Sequence, residues 1–336
     1  MSELNKIALK ILSNGKGILA ADESNGTMTK RLESVNVPSS AENRLLFRKT
    51  LFSASGMKDF IGGVILYDET INQTSALKQT IPELISKFGA VPGIKVDTGA
   101  KILAGSHEEK ITEGLDGLRE RLKNYYKLGA RFTKWRGVYK ISDRYPSKLS
   151  INSNAHALAR YSALVQECGM VPIVEPEVLM DGDHSAEICF NKTSEVIQKC
   201  FEELMIHKID LSGIILKPNM ILAGTTSDKK ISSEEVAKLT LKCLKENVPT
   251  DVPGIAFLSG GQTEVEATEN LNLINKNNDT NFIMTYSYGR ALQRSALKFW
   301  SKDINNTSGT QNIFNHRANM CTLAAQGKWS IELETK

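Results

Sequence analysis

Eight short apolar runs recur along the chain, at 17–21, 62–66, 93–97, 131–135, 170–174, 213–217, 254–259 and 282–287. They are rich in Val, Ile and Leu and lack clean polar alternation, as expected of parallel strands covered on both faces. Amphipathic stretches fill the gaps between them. Leu115, Leu118 and Leu122 recur at helical spacing, and so do Ala155, Leu158, Ala159 and Ser162 within 153–167. Further helices are predicted over 3–14, stopped by Gly15, and over 38–59, 289–300 and 308–326. Eight strand-helix units average about 42 residues each, which suits a single α/β domain over 1–336: a TIM (β/α)₈ barrel with extra N- and C-terminal helices. A doubly wound open sheet is the competing fold. The absence of Gly-x-Gly-x-x-Gly after the first strand weighs against its dinucleotide-binding form.

Composition narrows the class. With 41% hydrophobic and 24% charged residues the chain has ample material for a core, and its net charge of +4 is mild. No basic block with interleaved aromatics suggests nucleic acid, and no apolar run reaches the length of a membrane span, so cytoplasmic location and an anionic small substrate are expected. Cys168, Cys189, Cys200, Cys243 and Cys321 form no Cys-x-x-Cys pair and read as buried reduced thiols. His107, His156, His184, His207 and His316 are isolated in sequence, so no protein-bound catalytic metal is expected.

Chemistry concentrates where the apolar runs end. Asp22, Lys95, Asp97, Lys134, Arg136, Glu175, Glu177, Lys217, Ser259 and Arg290 all fall there, and barrels of this kind place their chemistry at the carboxyl ends of the strands. Lys217 closes Gly-Ile-Ile-Leu-Lys-Pro-Asn-Met. Desolvation and a neighbouring cation such as Lys134 make an amine nucleophilic, which points to an imine with a ketone or aldehyde. A snorkelling lysine is the plain alternative. Glu175 and Glu177, two positions apart, would point to one side of an extended segment, and a carboxyl there can serve the proton transfers of imine chemistry. Salt bridging at the rim is the other reading, and for Glu177 the two stand level. Asp22 reads either as a base for a substrate hydroxyl or as a helix N-cap. Ser259-Gly260-Gly261 and Tyr288-Gly289-Arg290 suggest a phosphate cradle, although Ser-Gly-Gly alone is also an ordinary tight turn. Lys95, with Lys30 and Arg31, suggests a second anion site.

Gly-Ile-Leu-Ala-Ala-Asp-Glu-Ser, Gly-Ile-Lys-Val-Asp, Lys-Trp-Arg, Val-Glu-Pro-Glu, Leu-Lys-Pro-Asn-Met, Phe-Leu-Ser-Gly-Gly-Gln and Ser-Tyr-Gly-Arg-Ala-Leu-Gln occur in this order. Together they closely resemble the class I fructose-bisphosphate aldolases. The resemblance implies a cofactor-free, homotetrameric glycolytic enzyme that interconverts fructose 1,6-bisphosphate and two triose phosphates. It makes Lys217 the Schiff-base lysine, Glu175 the acid/base for carbinolamine dehydration and Asp22 the base at the C4 hydroxyl. Lys134, Arg136 and Glu177 complete that catalytic group. Ser259, Gly260, Gly261, Gly289 and Arg290 would hold the C1 phosphate, and Ser24, Thr27 and Lys95 the C6 phosphate.

Family members also bind cytoskeletal and adhesion-protein tails, so a scaffold role stands as the alternative. Other imine-forming barrels, such as tagatose-bisphosphate, deoxyribose-phosphate or transaldolase-type enzymes, would keep Lys217 but need not keep two phosphate sites. Thr27 and Thr98 stand where the family commonly has serine and lysine. No tyrosine follows Tyr288, whereas animal-type members end in one implicated in proton exchange at C3; slower exchange there is the expectation.

Overall fold

The computed structural model describes residues 1–74 and 79–335. Strands β1 (Gly17–Ala21), β2 (Ile61–Leu66), β3 (Val91–Lys95), β4 (Gly99–Ile102), β5 (Lys110–Glu113), β6 (Phe132–Tyr139), β7 (Val171–Val178), β8 (Ile215–Leu216), β9 (Gly254–Phe257) and β10 (Ile283–Tyr288) follow in chain order. Eight of them close a parallel barrel in the order β1-β10-β9-β8-β7-β6-β3-β2, while β4 and β5 pair antiparallel as a separate hairpin. Helices between successive barrel strands make the outer ring, and the α/β barrel expected from the eight apolar runs is the observed fold.

Two apolar clusters divide the work. The larger lies between the strands and the surrounding helices and includes Trp135, Trp300, Phe47, Phe52 and Tyr161. The smaller fills the lower half of the barrel, where Ile18, Ala20, Ile65, Val91, Phe132, Val171, Ile173, Ile215 and Ala256 meet Ala8, Ile11 and Leu12 of helix Glu3–Leu12. This helix stoppers the floor. Ser2 caps its start, and Asn14 and Gly15, at φ 61° and 73°, turn the chain out of it into β1. Each fully buried Ile or Leu there contributes roughly 1.5–3 kcal/mol. Close approach demands glycine at Gly62, where a Cβ would sit 1.8 Å from the Ile11 carbonyl oxygen. Gly93 similarly makes room for the Phe132 ring, which a Cβ would meet at 2.4 Å.

Several boundaries differ from the sequence reading. β6 and β7 run four residues past the predicted 135 and 174, so Arg136, Glu175 and Glu177 lie within strands rather than beyond them. Their ladder continues with Arg136 opposite Glu175 and Val138 opposite Glu177, and opposite charges on the two strands compensate one another. The 213–217 run is strand only at Ile215–Leu216, leaving Lys217 at its exit. Leu115 precedes its helix, which begins at Leu118 after Gly117 adopts φ 66°. The segment 38–59 divides into helices Ala41–Phe52 and Met57–Phe60. Helix Asn25–Glu33 and the β4–β5 hairpin carry too little hydrophobic periodicity to be foreseen.

Candidate active site

Four charged side chains converge inside the upper barrel. Lys134 Nζ lies 2.7 Å from Asp22 Oδ2 and 3.3 Å from Glu175 Oε2, and Lys217 Nζ lies 3.2 Å from Glu175 Oε1. Glu175 therefore bridges two amines, each more than nine-tenths buried. Burial alone would raise the Asp22 carboxyl, but Lys134, Lys217 and Lys95 outweigh it and hold the group far below the usual carboxylate range. Lys134 is the mirror case: burial would lower it, yet Asp22 and Glu175 raise it, so it stays cationic. The Lys134 ammonium and Asp22 carboxylate are thus a fixed ion pair beside Lys217.

Backbone geometry fixes the Lys217 exit. Its amide donates to the Val174 carbonyl at 2.8 Å, and the Pro218 carbonyl accepts from Leu258 N at 3.1 Å. Asn219 is buried; its Oδ1 accepts from Val178 N at 3.0 Å, and its Nδ2 donates to Thr193 Oγ1 and the Met220 carbonyl, each at 3.1 Å. Strands β7, β8 and β9 are tied together just above Lys217, and the amine is held by a rigid support.

On the Asp22–Lys134 side of this group, with Lys217 and Glu175 outside its lining, lies a cavity of about 290 Å³ bounded by Asp22, Ser24, Thr27, Arg31, Lys95, Lys134, Arg136 and Gly289, among others. Ser24 caps helix Asn25–Glu33, its Oγ 3.1 Å from Thr27 Oγ1, so a helix N-terminus and two hydroxyls face Lys95 across the opening. Lys95 is steadied by Asp97, at 2.7 Å to Oδ1. Arg136 pairs with Glu177 at 3.0 Å, and burial raises the Glu177 carboxyl although Arg136 opposes the shift. Glu177 also borders the next loop: a Cβ on Gly260 would sit 3.1 Å from its Oε1. Gly261, at φ 76°, and Arg290 line a second cavity of about 280 Å³ with Arg294. Ser259 and Gly260 precede Gly261 in the same loop, and Gly289 opens helix Arg290–Trp300.

The fold thus gathers Lys217, Glu175, Asp22 and Lys134 into one contact network, with Ser24, Thr27, Lys95, Arg136 and Gly289 around its opening. Lys30 is exposed and does not line that cavity; its neighbour Arg31 does. Ser24, Thr27 and Arg31 share a helical face, a spacing that could have singled out Arg31. Glu23 was passed over in the sequence. It is buried, pairs with Arg31, accepts from Gln293 Nε2 at 2.9 Å and lies 3.5 Å from buried Arg48. Thr98 lies against the hairpin, donating its amide to the Glu113 carbonyl at 2.9 Å, and lines a different groove.

Comparison with known proteins identifies the family. A family model for "Fructose-bisphosphate aldolase class-I" matches residues 3–336. The chain belongs to the class I fructose-bisphosphate aldolase family. It is 46% identical over 330 residues to a probable class 1 fructose-bisphosphate aldolase of Xylella fastidiosa, covering 98% of this chain and 99% of that one. To the Danio rerio fructose-bisphosphate aldolase C-B it is 49% identical over 329 residues, covering 97% and 91%. The aldolase of Plasmodium falciparum, solved as a ternary complex with TRAP and a small-molecule inhibitor, superposes with a TM-score of 0.96 at 43% identity, covering 98% of this chain and 95% of that one. As a member of this aldolase family the protein is a carbon-carbon lyase.

Proposed function

We propose that the chain, acting as one catalytic unit over 1–336, reversibly cleaves fructose 1,6-bisphosphate to dihydroxyacetone phosphate and glyceraldehyde 3-phosphate through an imine on Lys217. The observation that carries this reading is the continuous contact from Lys217 through Glu175 and Lys134 to Asp22. An amine attacks a ketone only as the free base, and Glu175 at 3.2 Å is placed to take its proton and deliver one to the carbinolamine oxygen as water leaves. The iminium nitrogen then draws the electrons of the C3–C4 bond, so cleavage yields an enamine. Asp22, held ionised, accepts the C4 hydroxyl proton as the aldehyde forms, and Lys134 balances charge between the two carboxylates.

Phosphate on C6 is assigned to Ser24, Thr27 and Lys95, and phosphate on C1 to Ser259, Gly260, Gly261, Gly289 and Arg290. Anchoring both ends aligns the C4 hydroxyl with its base and removes much of the entropic cost of that alignment. We place the enzyme in cytoplasmic glycolysis as a homotetramer. All five cysteines are free, and among the described residues no helix is long and apolar enough to cross a membrane. Borohydride reduction in the presence of dihydroxyacetone phosphate, followed by peptide mapping, tests the chemistry: the adduct is expected on Lys217, and an adduct on another lysine would overturn the assignment.

A second reading, binding of cytoskeletal or adhesion-protein tails in addition to catalysis, rests on a groove of about 730 Å³ whose lining includes Arg31, Arg290, Arg294, Lys298 and Lys302. Its basic wall suits an acidic peptide, and the Plasmodium relative was solved with TRAP. Lys217→Met separates the two roles, since it is expected to end cleavage and leave peptide binding intact.

A further inference from the structure

Histidines scattered through the sequence are not all scattered in space. His156, from helix Lys148–Glu167, and His207, immediately after helix Ala186–Ile206, stand edge to face with ring centroids 5.0 Å apart. Glu203 joins them: its Oε2 lies 3.2 Å from His156 Nδ1 and 4.0 Å from His207 Nδ1. His207 Nδ1 is also 2.9 Å from the backbone carbonyl of Glu203. A carbonyl oxygen can only accept, so this contact assigns the proton of neutral His207 to Nδ1 and leaves Nε2 with a free lone pair. Lys199 occupies the other carboxylate oxygen, Oε1, at 3.2 Å, and thereby orients Oε2 toward the imidazoles.

We propose that His156, Glu203 and His207 bind a divalent, borderline-soft metal ion, with Zn²⁺ as the best fit, on the outer wall of the barrel. One ligating atom from each residue lies within 4.8 Å of the others. Zinc bonds of about 2.0–2.2 Å to nitrogen and oxygen separate tetrahedral ligands by roughly 3.3 Å. The His156–Glu203 spacing of 3.2 Å already matches that edge, so assembly requires chiefly a movement of the terminal His207 ring. Two imidazoles and one carboxylate favour zinc over magnesium or calcium, which prefer all-oxygen shells.

Solvent can reach the site, because the His156 side chain is 53% exposed, while Glu203 at 14% and His207 at 21% form its sheltered side. None of the three residues belongs to the Lys217 network or to the cavities beside it. The ion would therefore act by clamping two neighbouring outer helices, not by entering the aldol chemistry.

The test uses chelator-stripped full-length protein titrated with ZnCl₂ by calorimetry, with Co²⁺ as a spectroscopic substitute. Wild type is expected to bind one equivalent at this site, raise its unfolding temperature on binding, and give visible cobalt bands. His156→Asn and His207→Asn should each weaken binding by about tenfold or more and abolish those bands, with metal-free cleavage rates unchanged. Glu203→Gln, which keeps the side-chain shape, reads out the same loss if a histidine variant folds poorly. Absence of stoichiometric binding overturns the proposal, as does zinc affinity that these substitutions leave within threefold of wild type, which would place the metal on other groups such as the free thiols.

Discussion

At the floor of the barrel, Ile11 and Leu12 meet a ring of inward-facing Ile18, Val91, Phe132, Val171 and Ile215; at its mouth, Asp22, Lys95, Lys134, Glu175 and Lys217 come from the same five strands and their exits. The passage from one to the other takes only a step or two of the strand period. Ile18-Ala20-Asp22, Val91-Gly93-Lys95, Phe132-Lys134, Val171-Ile173-Glu175 and Ile215-Lys217 are alternate residues that share the interior face. The lower layers bury methyl groups and rings, and the top layer buries paired ions. Apolar packing below supplies stability, whereas the ions above are costly to desolvate and persist only because each has a partner. Apolar packing and the proposed chemistry thus fall in opposite halves of one set of strands.

The sharpest way to break this division is Lys217→Met. Cleavage is expected to fall by at least ~10⁴-fold while the unfolding temperature moves by only a few degrees; appreciable residual turnover with the purified variant would contradict the site assignment. At the floor, Gly62→Ala should do the reverse. Its Cβ would overlap the Ile11 carbonyl, so a loss of about 3 kcal/mol in denaturant unfolding is expected, with near-normal kcat for the molecules that remain folded.

Asp22→Asn belongs to both halves, since it removes the 2.7 Å partner of a buried ammonium as well as a proposed base. Roughly 3 kcal/mol should be lost at neutral pH. The sign of its pH dependence follows from the depressed carboxyl. The stabilisation by Asp22 is fully present above the ordinary carboxylate range and lost as pH falls through the lower folded-state value, so the gap between wild type and Asp22→Asn should narrow only in strong acid. Glu177 is shifted the other way by burial, and its ionisation costs stability as pH rises from the ordinary range through the raised value. Urea titrations of Asp22→Asn and Glu177→Gln against wild type across pH check the opposite slopes.

Arg290→Ala sharpens the mouth further. An increase in KM of about tenfold for the doubly phosphorylated sugar, with a smaller change in kcat, is expected from losing a charged anchor. The smallest effect should come from Ser2→Ala, which removes the cap of the floor helix, where Ser2 Oγ accepts from Asn5 N at 3.2 Å; roughly 1 kcal/mol of stability is expected to go.

Much of this layout was legible from residue order. The eight apolar runs located the barrel strands, and the charged residues following Ala21, Thr133, Val174 and Leu216 located the network. The extent of β6 and β7 was hidden because their charges are neutralised by neighbours distant in sequence, so a polar residue that looks like a strand's end is still within its ladder. Arg31 and Lys30 were named together for an anion site, and the sequence could not separate them because helix Asn25–Glu33 buries only Met28 and Leu32, too weak a stripe to reveal that Arg31 and not Lys30 turns to the cavity. The partners of Glu23 at positions 48 and 293 lie too far away in sequence for local spacing to suggest them. His156 and His207 meet only because consecutive outer helices pack side by side.

The stopper formed by Glu3–Leu12 also governs traffic. A vessel sealed behind has a single doorway, so both three-carbon fragments of the proposed cleavage must leave by the route the six-carbon sugar entered. In the proposed mechanism the fragment joined to Lys217 cannot depart until its bond is hydrolysed, which leaves the aldehyde free to go first. The order of release would be set by hydrolysis of the proposed Lys217 imine, while the N-terminal dozen residues, far from any group proposed to touch the sugar, keep the opposite end of the barrel shut.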